Sequence, residues 1–158
     1  MKPKMTTGIN IISKVLFNND TGLQVPSLTN FTSWVESVIE FHGEDFQVSI
    51  EIVDKITSQE LNKTYRNKDK PTNVLSFPLD LPEIVEEILI GDLAICAEVV
   101  ADEAQQQNKV FLNHWAHLTI HGCLHLLGYD HIEDKEAEEM EAIEIKLLNN
   151  LEIENPYN

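Results

Sequence analysis

Positive charge is scarce in this chain of 158 residues, which has 11 Lys+Arg against 27 Asp+Glu and a formal net charge of −16. Arg66 is its one arginine. Such a balance works against non-specific adhesion to phosphate backbones or anionic lipid, and leaves room for a nucleic acid only at a local site. Cysteine is scarce too. Cys96 and Cys123 are the two, and no CxxC pair exists. A disulfide framework is thereby excluded, and a reduced, cytoplasmic protein is expected. No stretch approaches 18 apolar residues, so no membrane span is expected. The basic start Met1-Lys2-Pro3-Lys4 is followed by an apolar run that breaks at Ser13-Lys14, which argues against a signal peptide. The glycines form no phosphate-binding loop, and there is no internal repeat. What is present is a 42% hydrophobic fraction in a chain of one-domain length, so a single domain over 1–158 with its own core is expected.

Residues 9–17 are apolar and β-branched and read as a strand. Leu28, Phe31, Val35, Val38 and His42 recur at three- and four-residue steps, which predicts a helix over 27–41 that stops at Gly43. Phe46, Val48, Ile50 and Ile52 alternate with polar residues, as a half-buried strand does. Thr57-Ser58-Gln59-Glu60 has capping-box spacing and predicts a short helix over 58–66. Two more strands are expected over 74–77 and 88–96, and an acidic, Pro-containing loop over 80–87. Helices are expected over 97–107, 112–127 and 134–150. The fold class is therefore α+β: a small mixed sheet of about four strands packed with about five helices.

Five of the six histidines fall between His114 and His131. At about 100° per residue, His114, His117, His121 and His125 lie within an arc of about 80°. His121 and His125 are one turn apart, and Gly128 can end the helix and turn His131 back toward them. The pattern is H-x3-H-x5-H. Three neutral imidazoles leave an open coordination position, as at a catalytic zinc, so one Zn2+ with three His ligands and a water is expected at the end of this central helix. His114 reads as a surface or structural residue and His117 as a packing or ligand-supporting one. Asp130 suits either a hydrogen bond to an imidazole or a turn. The metzincin proteases share the ligand spacing, but carry a glutamate base after the first histidine. Here that residue is Gly122, which cannot move a proton.

Lys63, Arg66, Lys68 and Lys70 place four of the 11 basic residues within eight positions. This island reads either as a solvated helix end or as a phosphate site, with Arg66 stabilising the charge that grows in phosphodiester cleavage. Ser76 has no His or Asp spacing that marks it as a nucleophile. The acid-rich segment 133–154, with nine acids and two lysines, reads as the solvated face of the last helix.

The segment His121-Gly-Cys-Leu-His125-Leu-Leu-Gly128-Tyr129-Asp130-His131 resembles the signature of the YbeY family of single-strand-specific endoribonucleases. Tyr65-Arg66-Asn-Lys68-Asp-Lys70-Pro71-Thr72-Asn73-Val74-Leu75-Ser76-Phe77-Pro78 and Gly91-Asp92-Leu93-Ala94-Ile95 resemble two further hallmarks of that family. The resemblance implies a bacterial, cytoplasmic, zinc-dependent hydrolase of single-stranded RNA, with His121, His125 and His131 as ligands and Arg66 as a functional arginine. It also implies work in ribosomal RNA processing, at the 3′ end of small-subunit rRNA, and in ribosome quality control, with the small subunit and its assembly factors as partners and no DNA or membrane. Asn73 departs from the pattern, since many relatives have Asp there. Two other readings stand beside this one. One is a metallohydrolase of a peptide or small molecule, which Gly122 weakens. The other is a non-catalytic, zinc-stabilised ribosome-assembly factor that binds partners through its acidic surface.

Overall fold

A computed structural model describes residues 13–79, 88–130 and 132–158. Within them the order is β1 (Val15–Asn19), α1 (Leu28–His42), β2 (Gln47–Val53), α2 (Lys55–Arg66), β3 (Val74–Pro78), β4 (Leu89–Cys96), α3 (Ala97–Gln106), α4 (Phe111–Leu126) and α5 (Asp134–Asn150). The four strands form one mixed sheet in the order β1-β2-β4-β3. β1, β2 and β4 run parallel, and β3 joins β4 antiparallel at the edge. This is the α+β class expected from the sequence. The expected loop over 80–87, and residues 9–12 of the expected first strand, lie outside the described residues.

Local chemistry explains the element ends. Ser27 caps α1 by accepting from the Asn30 N–H, and Gly43 closes it with φ +88°. The start of α2 differs from the expectation. Asp54, not the Thr57 capping box, accepts from the Thr57 N–H, so the helix begins at Lys55. Ser58 lies inside that helix, where its hydroxyl donates to the Thr72 carbonyl and accepts from the Thr72 N–H. The residue read as part of a cap is a strap to the chain entering β3.

Alternation in the strands splits the core. Val48, Ile50 and Ile52 of β2 and Leu93 and Ile95 of β4 join Phe31, Val35, Trp115, Leu124, Met140 and Leu148 on one face. Val53, Leu75, Ala94 and Cys96 form a smaller cluster with Leu61 of α2 on the other. Helix α4 has 11 buried residues out of 16, so it is enclosed rather than amphipathic. Both cysteines are free and buried, and burial pushes the Cys123 thiol up to about 12. Among the described residues, no helix is long and apolar enough to cross a membrane.

Two glycines bring α4 against the sheet. A Cβ at Gly122 would stand 2.8 Å from Leu93 Cδ2, and one at Gly91 2.7 Å from Leu126 Cδ2 and 2.5 Å from the Phe77 carbonyl. The residue after His121 therefore packs on β4 and is not a place for a base.

Candidate active site

Four histidines sit on α4, and the atom each turns to its partner sorts them. His114 bonds Glu103 Oε1 through Nε2 at 2.9 Å, and its Nδ1 is buried without a bond partner. His117 bonds Glu144 Oε1 through Nε2 at 2.8 Å, and its Nδ1 is likewise buried and unbonded. In both rings Nε2 therefore carries a proton toward its carboxylate, as assigned from the partner. His121 is reversed. Its Nδ1 lies 2.6 Å from Glu144 Oε2, so Nδ1 carries the proton and Nε2 presents a lone pair. That Nε2 is 3.1 Å from His125 Nε2.

Glu144, on α5, is the residue the sequence reading missed. The acid-rich segment was read as a solvated face, yet Glu144 is fully buried. Its signal was positional: with Met140, Leu147 and Leu148 it forms the buried stripe of α5. Burial alone would raise its carboxyl. Hydrogen bonds from His117 and His121, and the electrostatic attraction of the two rings, outweigh burial and hold it at about 2. The Tyr157 hydroxyl also donates to Oε1. Burial and the Glu144 charge push the Tyr157 phenol up, which keeps it a donor.

Among the described residues, His117, His121 and Glu144 form the group that could hold a metal ion, their ligand atoms all within 4.8 Å of one another. His131 lies outside the described residues.

A cleft of about 710 Å3 joins this region to the basic island. Arg66, Lys68, Lys70, Ser76, His121 and His125 all line it, together with Asp130. Lys63 belongs to the last turn of α2 and is not among the lining residues. Arg66 is anchored rather than trailing in solvent. Its Nη2 donates to the Ser76 carbonyl at 2.7 Å, its Nη1 to the Tyr65 carbonyl at 3.2 Å, and its Cζ stands 5.4 Å from the centroid of the Phe77 ring. The Ser76 hydroxyl in turn donates to the Gly122 carbonyl at 3.3 Å, so edge strand β3 links the arginine to the histidine helix. Asn73 donates to both Glu103 oxygens, at 3.0 and 3.3 Å. An amide suits that place, because the Glu103 carboxyl is held low: bonds from His114 and Asn73 outweigh its burial.

The family model described as Endoribonuclease YbeY matches residues 16–152. The Endoribonuclease YbeY of Colwellia psychrerythraea is 52% identical over 141 residues, which cover 87% of this chain and 91% of that protein. This chain belongs to the endoribonuclease YbeY family. The solution structure of TM1509 from Thermotoga maritima matches it with a TM-score of 0.58 at 29% identity, covering 87% of this chain and 91% of that one. For a YbeY family member, a cleft with imidazoles on one wall and cations on the other has the chemistry an RNA phosphate requires.

Proposed function

We propose that the chain is a metal-dependent endoribonuclease that cuts single-stranded RNA, with one zinc ion held by His121, His125 and His131. One observation carries the reading: Arg66, His121 and His125 line one cleft, and the Nε2 atoms of the two histidines lie 3.1 Å apart. The fit to an ion rests on distances. Two imidazole nitrogens bound to one tetrahedral zinc at about 2.0–2.1 Å lie about 3.3 Å apart. The Nε2 pair, at 3.1 Å, is near that spacing and also within hydrogen-bond reach, whereas the Glu144 oxygens already accept hydrogen bonds from both of its rings at 2.6 and 2.8 Å. Glu144 is therefore better suited to orienting ligands than to being one. Imidazole donors favour zinc, and the third ligand is drawn from the H-x3-H-x5-H spacing.

Zinc at such a site supplies Lewis acidity toward a phosphoryl oxygen and lowers the pKa of a water. The protein's own groups do the rest. Glu144 accepts the Nδ1 proton of His121 and fixes the ring with Nε2 toward the cleft. Arg66 spends two of its five N–H donors on carbonyls, and the others meet the phosphate oxygens as charge grows on them. Lys68 and Lys70 attract the neighbouring phosphates, with Lys63 further out along the same strand of RNA. Gly122 packed on Leu93 leaves no base for peptide hydrolysis. The substrate is ribosomal RNA, notably the 3′ end of the small-subunit rRNA, cut in the cytoplasm during ribosome maturation and quality control. With a net charge of −16, docking on the small subunit relies on assembly factors as well as on RNA.

The test is cleavage of a labelled single-stranded RNA by wild type, Arg66→Ala and His121→Ala protein purified in parallel. Cleavage by wild type alone supports the proposal. Equal cleavage by all three marks a contaminating nuclease and removes the basis for it. A 2′,3′-cyclic phosphate on the product would identify the 2′-hydroxyl as nucleophile.

A further inference from the structure

We propose that Tyr157 is a positioning residue of the metal centre, holding the Glu144 carboxylate so that His121 keeps its Nε2 toward His125. The inference rests on the reading that these two histidines hold the ion.

Glu144 has two oxygens and three donors. Oε1 takes the Tyr157 hydroxyl and His117 Nε2, and Oε2 takes His121 Nδ1. The carboxylate is thus pinned at one end by two donors, which leaves the other end one orientation toward His121. Tyr157 is itself placed. The chain bends after α5, with the Tyr157 N–H donating to Asn155 Oδ1 at 2.8 Å. Its ring stands edge-on to His117, with centroids 5.3 Å apart. The hydroxyl end is enclosed by His117 and Glu144, although the residue as a whole is 46% exposed. Without that hydroxyl, Oε1 keeps His117 alone and the carboxylate gains freedom to turn. His121 then loses its fixed acceptor, and the Nε2–H tautomer, which cannot ligate, gains population.

The experiment uses the full chain and the Tyr157→Phe variant, which retains the ring and removes only the hydroxyl. Nitrogen-15 NMR of the imidazoles in the zinc-free proteins reads the tautomer. Competition for zinc against a chromophoric chelator reads affinity. The expected result is a His121 signal shifted toward the Nε2–H form in the variant, and zinc binding weakened about threefold to tenfold, below or at the low end of the 10–100-fold range for groups that support a ligand directly. Identical imidazole spectra in the two proteins would overturn the proposal and reduce Tyr157 to packing. A His125→Ala control keeps the two readings apart: if it binds zinc as wild type does, the ligand assignment fails, while the tautomer readout still decides the role of Tyr157.

Discussion

Of the histidines on helix α4, His114 and His121 lie about two turns apart and bond different carboxylates, and they do different work. At His114 the partner is Glu103 of α3, which also accepts from Asn73 just before β3. The pair ties α3, α4 and the entry to β3 together, and the other nitrogen of the ring is buried without a bond. At His121 the partner is Glu144 of α5, shared with His117 and Tyr157, and the ring is turned over. Its second nitrogen lies 3.1 Å from His125 Nε2, one turn further along the same helix. The two pairs have the same chemistry and lie on the same helix face. The difference is which nitrogen meets the carboxylate, and that decides whether a histidine braces the fold or offers a lone pair to a ligand.

The largest expected effect breaks this comparison most directly. His121→Ala should lose essentially all bound zinc, while His114→Ala should keep it; elemental mass spectrometry of both proteins checks this. Equal metal content in the two would erase the distinction. Next, Arg66→Ala touches neither carboxylate and should retain zinc, yet lose about 100-fold or more in RNA cleavage, the scale of removing a donor to a developing oxyanion. Full activity in that variant would remove Arg66 from the chemistry. Gly122→Ala should destabilise by about 1–3 kcal/mol, because its Cβ must displace Leu93. Chemical denaturation measures that, and an unchanged midpoint would show that α4 can shift off the sheet without cost. The smallest effect sharpens the comparison. Glu103→Gln should cost about 1 kcal/mol of stability and leave zinc affinity unchanged, since it loosens a brace only.

The two carboxylates also predict acid behaviour. Each has a folded pKa below its ordinary value. The stability each contributes is therefore complete above the unfolded carboxylate range and is lost as pH falls through the folded value. For Glu144 that loss runs from the ordinary 4.5 down to about 2. Zinc-free wild type should lose stability relative to Glu144→Gln across this window, and parallel curves for the two proteins would contradict the pairing.

Much of the scaffold was legible because local signals and tertiary packing agree. Ser27 and Gly43 bracket α1, strict alternation marks β2, and the span of α5 was read to the residue. The start of α2 was misplaced because two caps compete there. Asp54 reaches the Thr57 N–H, and Ser58 is drawn into the fold by Thr72. At the site, His121, His125 and the basic island could be read from spacing. Their convergence on one cleft could not, because it depends on β3 folding back against β4 and carrying the chain after Arg66 to the side of α4. Glu144 was hidden by its neighbours: in a run of acids, one carboxylate on the apolar stripe looks like the rest until the helix has a partner. His117, expected to pack or to support a ligand, has its Nε2 bonded to Glu144 and stands with His121 and Glu144 in the group that could hold an ion.

The space beside Gly122 also limits redesign. A glutamate introduced after His121 would have to enter space that the Leu93 side chain fills. A peptidase base could be installed there only with Leu93 moved aside or replaced, so changes at positions 93 and 122 should couple rather than add.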